Sequence, residues 1–120
     1  MSSTISSTRI YLNPNCSKCQ LSMQLLDNKG IKPDISEYLS TPPDINELNE
    51  ILNLLSMEPR ELMRQHEAPY KELNLADKTL SRDVLIQAMI DNPILIERPI
   101  VVHNGKATIG RPPEKILDIL

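Results

Sequence analysis

The run Asn13-Pro14-Asn15-Cys16-Ser17-Lys18-Cys19-Gln20 sets two thiols three residues apart, and they are the only cysteines of the chain. Thiolate is the nucleophilic form of cysteine, and the free backbone N–H groups and positive end of a nearby helix favour it. A helix starting at Ser17 would leave Cys16 at that end, with a pKa below the free value of about 8.5. Cys19 would then lie one turn along the same face, so the pair has the spacing of a redox-active dithiol. Two other readings compete. Both cysteines could be inert apolar residues, but their polar neighbours and the helix start argue for a pair outside the core. A structural metal site would need four ligands, and His66 and His103 fall far apart without ligand spacing, so no metal is expected. Both histidines are expected to face solvent and are given no role.

The same helix start suits a tetrahedral anion, because its N–H groups point outward and arginines can add charge-assisted, bidentate hydrogen bonds. Arg98 before Pro99, Arg111 before Pro112, and Arg64 in the middle of the chain are the candidates. Spacing alone does not bring them together, and a lone arginine in a small domain is commonly a solvated surface charge.

The elements that must hold these residues are legible in outline. Arg9-Ile10-Tyr11-Leu12 reads as a short strand ended by Asn13-Pro14. Leu21, Leu25 and Leu26 recur at helical spacing from Ser17 to Lys29, and Gly30 follows as a C-terminal cap. Asp34 to Leu39 alternates as a second strand. Asp44 caps a helix carried by Ile45, Leu48, Ile51, Leu52 and Leu55, and a shorter one follows Pro59. Ser81 caps another that runs to Asp91. Pro99 to His103, Asn104-Gly105 and Lys106 to Gly110 form a hairpin, and Pro112-Pro113-Glu114 opens a last helix. The order β-α-β, helical block, β-β-α implies a parallel pair through a right-handed crossover plus an antiparallel hairpin. An α/β fold with a four-stranded mixed sheet flanked by helices follows.

With 120 residues, 40% apolar and 24% charged, the chain has the composition of one folded domain. It has three Tyr and neither Trp nor Phe, so the core must be aliphatic. Met23, Met57, Met63 and Met89 fall within apolar helical patterns and read as gap-filling core positions. Thirteen basic and sixteen acidic residues, net −3, give no footprint for a phosphate backbone, so nucleic acid is not expected as a ligand. No apolar run reaches the roughly 20 residues that span a bilayer, and Ser2 to Thr8 lacks the apolar stretch of a signal peptide. A cytoplasmic monomer is the expectation.

Asn13-Pro14-x-Cys16 after a short strand, Arg60-Glu61-Leu62-Met63-Arg64, Pro69 to Leu75, Arg98-Pro99-Ile100-Val101-Val102 and Gly110-Arg111-Pro112 resemble the ArsC-type arsenate reductase family. The resemblance runs from Arg9 to Leu120 and is strongest toward the family's short, YfgD-like branch. It implies a thioredoxin-like fold with a helical insertion over residues 9–120, behind a flexible segment 1–8. By position it makes Cys16 the nucleophile and Arg64, Arg98 and Arg111 the oxyanion-binding arginines. It places Pro99 after a cis peptide bond beside Cys16. The implied ligand is arsenate or a similar oxyanion, and the implied reaction is reduction of arsenate to arsenite, with no bound cofactor. It implies glutathione as co-substrate and glutaredoxin as the protein that returns the enzyme to its thiol form, with thioredoxin an alternative reductant if Cys19 closes an internal disulfide.

Where well-studied members carry His before Asn-Pro, Ser three residues after the nucleophile and often Arg next, this chain has Leu12, Cys19 and Gln20. Lowering the Cys16 pKa is then left to the helix end and Lys18, and Cys19 becomes a candidate resolving thiol. Two alternatives stay open on these residues: a glutaredoxin-like thiol–disulfide oxidoreductase using the Cys16–Cys19 dithiol, and a non-enzymatic regulator of the Spx type.

Overall fold

Strand β1 (Thr8–Tyr11) runs through the middle of the sheet and decides where the Cys16 loop emerges. The structure is a computed structural model and describes residues 8–120. The flexible segment expected over residues 1–8 lies outside the described residues up to residue 7, and at Thr8 it is corrected. Thr8 is the first residue of β1, buried and paired with His103, and its hydroxyl shares a 2.7 Å hydrogen bond with His103 Nδ1. That pairing extends the strand one residue further than apolar patterning alone shows.

The chain forms two compact units, one running to Thr41 and resuming at Arg98–Leu120, the other spanning Pro42–Glu97. The first unit is the thioredoxin-like part. It contains β1, α1 (Ser17–Asn28), β2 (Asp34–Ser36), β3 (Ile100–His103), β4 (Lys106–Ile109) and a 3-10 helix, Pro113–Ile119. The sheet order is β2-β1-β3-β4, with β1 parallel to β2 and antiparallel to β3, and β3 antiparallel to β4. This is the expected four-stranded mixed sheet. Asn104 (φ 48°) and Gly105 (φ 80°) supply the two positive φ values that a tight hairpin turn between β3 and β4 requires.

Helix α1 closes at Gly30, whose φ of 72° and N–H bond to the Asp27 carbonyl end the last turn. Ile10, Leu12, Leu26, Val101 and Ile116 pack around both cysteines in one apolar cluster. Two sequence expectations change here. The β2 ladder stops at Ser36, since the chain turns at Glu37, whose carbonyl accepts from both Ser40 and Thr41 N–H. The last segment is a 3-10 helix instead of an α-helix, tightened behind Pro112 and Pro113.

The second unit holds α2 (Ile45–Leu55), α3 (Pro59–Leu62), α4 (Ala68–Glu72) and α5 (Arg82–Asp91). Asp44 and Ser81 cap α2 and α5 as their spacing predicts, accepting from Glu47 N–H at 2.8 Å and Val84 N–H at 3.3 Å. Leu48, Ile51 and Leu52 of α2 and Leu85, Ile86 and Met89 of α5 are buried. Among the described residues, no helix is long and apolar enough to cross a membrane.

Gly110 ends β4, donates to the Pro99 carbonyl at 2.9 Å and hands the chain to Arg111. A Cβ at this position would lie 2.7 Å from Ser22 Oγ and 2.9 Å from Pro99 Cγ. Both neighbours are buried, and the proline ring cannot rotate away. Gly110→Ala is therefore expected to destabilise the protein by roughly 1–3 kcal/mol, as overpacking does. The check is a lower denaturant midpoint at unchanged slope.

Candidate active site

Between β1 and α1 the chain makes a tight loop held by its own polar groups. Asn15 N–H donates to Asn13 Oδ1 at 3.0 Å, Cys16 N–H to the Asn13 carbonyl at 3.0 Å, and the Gln20 amide to the Pro14 carbonyl at 3.1 Å. Cys16 therefore becomes the N-cap of α1, in extended conformation (φ −97°, ψ 123°), one step ahead of the helix. Its sulfur meets the helix start directly.

Both cysteines are free thiols, and both are buried, Cys16 at 9% and Cys19 at 1% exposure. The sequence expectation that polar neighbours keep the pair out of the core is corrected. Ser17 and Gln20 point to solvent, but Cys19 falls on the inward face of α1 among Leu12, Leu26 and Ile116. A hollow of about 190 Å³ lies beside Cys19, walled by Leu12, Asn13, Pro14, Gln20 and Met23.

Two arginines reach the Cys16 sulfur. Arg111 Nη2 donates to Sγ at 3.7 Å, while its Nε donates to the Arg98 carbonyl at 2.6 Å. Arg98 also hydrogen-bonds the Cys16 thiolate, and its guanidinium is held by Tyr38. Burial works against the Arg98 charge, yet Cys16 and Tyr38 outweigh it and push its pKa up, so the group stays a cation. Pro99 follows a cis peptide bond from Arg98, and Arg111–Pro112 is cis as well.

Burial also pushes the Cys16 thiol up. The backbone and side chain of Cys19, the Arg98 guanidinium and the Lys18 backbone reverse this and bring its pKa to about 7. Burial raises Cys19 instead, and although the Asn13 backbone and Arg98 pull it down, the hydrogen bond and charge of Cys16 help push it to about 12. One thiol of the pair is thus anionic near neutrality while the other is its hydrogen-bond donor. Alkylation of Cys16 by iodoacetamide is expected to reach half its maximal rate near pH 7. Cys19 should remain unmodified across that range, and peptide mapping of timed samples checks both statements.

Of the residues singled out in the sequence, Cys16, Cys19, Arg98, Pro99 and Arg111 belong to the first unit, and Cys19, Arg98 and Arg111 meet at the Cys16 sulfur, while Pro99 packs against Gly110. Arg64 belongs to the second unit. There its Nη1 donates to Glu97 Oε1 at 2.8 Å and its Nε to Glu67 Oε2 at 3.3 Å, and its Nη2 lies 3.2 Å from His66 Nε2. His66 is exposed as expected, whereas His103 is half-buried against Thr8. Tyr38, fully buried, is the site residue that sequence reasoning missed. Its signal was faint: one of three tyrosines in a chain without Phe or Trp, within a stretch read as the second strand. Among the described residues no group of three or more His, Cys, Asp or Glu side chains is placed to hold a metal ion.

The mixed sheet of order β2-β1-β3-β4, with a thiol at the start of α1, guanidinium groups on its sulfur and a second thiol one turn away, is that of a thioredoxin-like protein. The chain belongs to the ArsC family, whose model matches residues 11–119. It is 57% identical over 113 residues to the protein YfgD of Escherichia coli (strain K12), covering 93% of this chain and 95% of that one. It is 45% identical over 113 residues to an arsenate reductase of Neisseria meningitidis serogroup A (93% and 97% covered). Among solved structures, an arsenate reductase from Vibrio cholerae superposes with a TM-score of 0.91 at 50% identity, covering 97% of this chain and 99% of that one.

Proposed function

We propose that this protein is an arsenate reductase in which the Cys16 thiolate attacks arsenate held by Arg98 and Arg111, with thiols as the electron source. The observation that carries this reading is the convergence of two guanidinium groups on a thiol that ionises near pH 7. A general disulfide exchanger needs the thiolate but has no use for two fixed cations beside it. A tetrahedral oxyanion needs both. The likeness to proteins named arsenate reductase, at 40–46% identity for several relatives, supports the same substrate.

In the first step Cys16 displaces one arsenate oxygen, which leaves as water, and a thiol-linked arsenate forms. The arginines neutralise the charge that builds on the remaining oxygens. Glutathione serves as co-substrate and glutaredoxin as the protein that restores the thiol, with no resident cofactor. The family resemblance gives Arg64 a share in holding the anion. Purified protein supplied with glutathione, glutaredoxin, glutathione reductase and NADPH is expected to consume NADPH only when arsenate is added. Consumption that needs no glutaredoxin, or that is equally fast with thioredoxin in its place, would overturn the proposed donor. No arsenate dependence at all in a folded protein would overturn the activity.

A further inference from the structure

Cys19 has no task in the scheme above, although it interacts directly with the nucleophile. It hydrogen-bonds the Cys16 sulfur through its side chain and adds its backbone N–H. The two residues are joined across the first turn of α1, where Gln20 N–H bonds the Cys16 carbonyl at 3.1 Å. Side chains three residues apart on a helix sit about 5–6 Å apart at Cβ, and a disulfide needs about 3.5–4.5 Å, so closing the bond draws the two Cβ atoms together by roughly 1–2 Å. Cys16 is the N-cap, in extended conformation outside the helical φ/ψ region, and both thiols lie in one buried cluster.

We propose that Cys19 is the resolving thiol of this site, attacking Cys16 Sγ in the thiol-linked arsenate, closing a Cys16–Cys19 disulfide and expelling arsenite. The proposal rests on Cys16 being the nucleophile toward arsenate. The step balances without an outside reagent. The Cys19 sulfur forms the S–S bond, the S–As bond breaks, and its electron pair stays on arsenic, which passes from As(V) to As(III). The Cys19 proton goes to an arsenite oxygen. The two sulfurs are oxidised together, and an external thiol or dithiol later reduces the disulfide.

The surroundings give the two thiols an order. Cys19 is held protonated by burial and by the hydrogen bond and charge of the Cys16 thiolate. The last two causes end when Cys16 Sγ becomes bonded to arsenic, whereas the Arg98 charge that favours the Cys19 anion stays in place. Reaction at Cys16 thus removes two of the three causes that hold the Cys19 proton, burial remaining, and this favours Cys19 acting second. Cys19 is buried, at 1% exposure, three residues from Cys16 in the same cluster, so it competes favourably with a diffusing thiol for the Cys16 sulfur.

The test uses the full chain, reduced, freed of small thiols and mixed anaerobically with arsenate alone. The expected result is one arsenite released per chain, with loss of both titratable thiols and a Cys16-to-Cys19 cross-link in the peptide map. Cys19→Ser is expected to release none until glutathione is added. Arsenite without a cross-link, or both thiols retained in a protein that turns over once glutathione and glutaredoxin are supplied, would overturn the role of Cys19 and leave the arsenate reductase reading standing. Failure with every donor would reject the activity itself. The dithiol is then decided separately in mixtures of reduced and oxidised glutathione. An internal disulfide there supports a redox role for Cys19, and a persistent glutathione adduct on Cys16 beside a free Cys19 rejects it.

Discussion

Replacing Cys16 by serine is expected to remove arsenate-dependent turnover, lowering it by on the order of 10⁴-fold or more, as for other lost nucleophiles. The substitution is nearly isosteric, so the loss comes from chemistry. A serine hydroxyl stays protonated far above neutral pH, whereas Cys19, the Arg98 guanidinium and the Lys18 backbone at the helix start overcome burial and hold Cys16 at a pKa of about 7. The Arg98 and Arg111 cations remain in the variant, which should still bind arsenate without reducing it. The pair of measurements is the coupled NADPH assay together with a thermal melt. Residual turnover within tenfold of the parent, in a variant that melts normally, would move the nucleophile to another residue.

Arg98→Ala carries the second large effect, roughly a 10²–10³-fold loss of arsenate turnover, the range for removing one donor to a developing oxyanion. Two consequences of the loss separate Arg98 from a merely structural residue. Arg98 is one of the groups that lower the Cys16 pKa, so the pH midpoint of Cys16 alkylation should move upward. Reduction of a small uncharged disulfide, which needs the thiolate but no anion clamp, should fall much less. Arg98→Lys should recover the alkylation midpoint in part but not the arsenate rate, because an ammonium replaces charge without the planar fork. Equal losses toward arsenate and disulfide would count against an oxyanion site. The buried Tyr38 hydroxyl beside Arg98 makes Tyr38→Phe a milder version of the same experiment, since the guanidinium loses a positioning partner and keeps its charge.

Local chemistry made much of this readable before any fold was seen. Asp44 and Ser81 announce helix starts because a short polar side chain can satisfy a free N–H, and both do so. Asn104-Gly105 announces the hairpin because only such residues accept two positive φ values at low cost. Cys16 before Ser17 announces a thiol at a helix end for the same local reason. What stayed hidden depends on contacts between distant parts of the chain. The burial of Cys19 follows from which face of α1 meets Val101 and Ile116, residues more than eighty positions away. The meeting of Arg98 and Arg111 at Cys16 depends on the β1–β3–β4 register, which no spacing rule encodes. Tyr38 lies beyond a strand that ends three residues earlier than its alternation implies, so its inward placement became visible only with the turn at Glu37.

Arsenic speciation is the most direct measure of the central claim, because it counts the product where NADPH consumption counts only electrons. Reduced protein with arsenate, glutathione, glutaredoxin, glutathione reductase and NADPH is expected to form one arsenite for each NADPH oxidised, and the Cys16→Ser variant is expected to form none above the protein-free rate. NADPH oxidised without arsenite, or arsenite formed equally well by Cys16→Ser, would contradict arsenate reduction at Cys16.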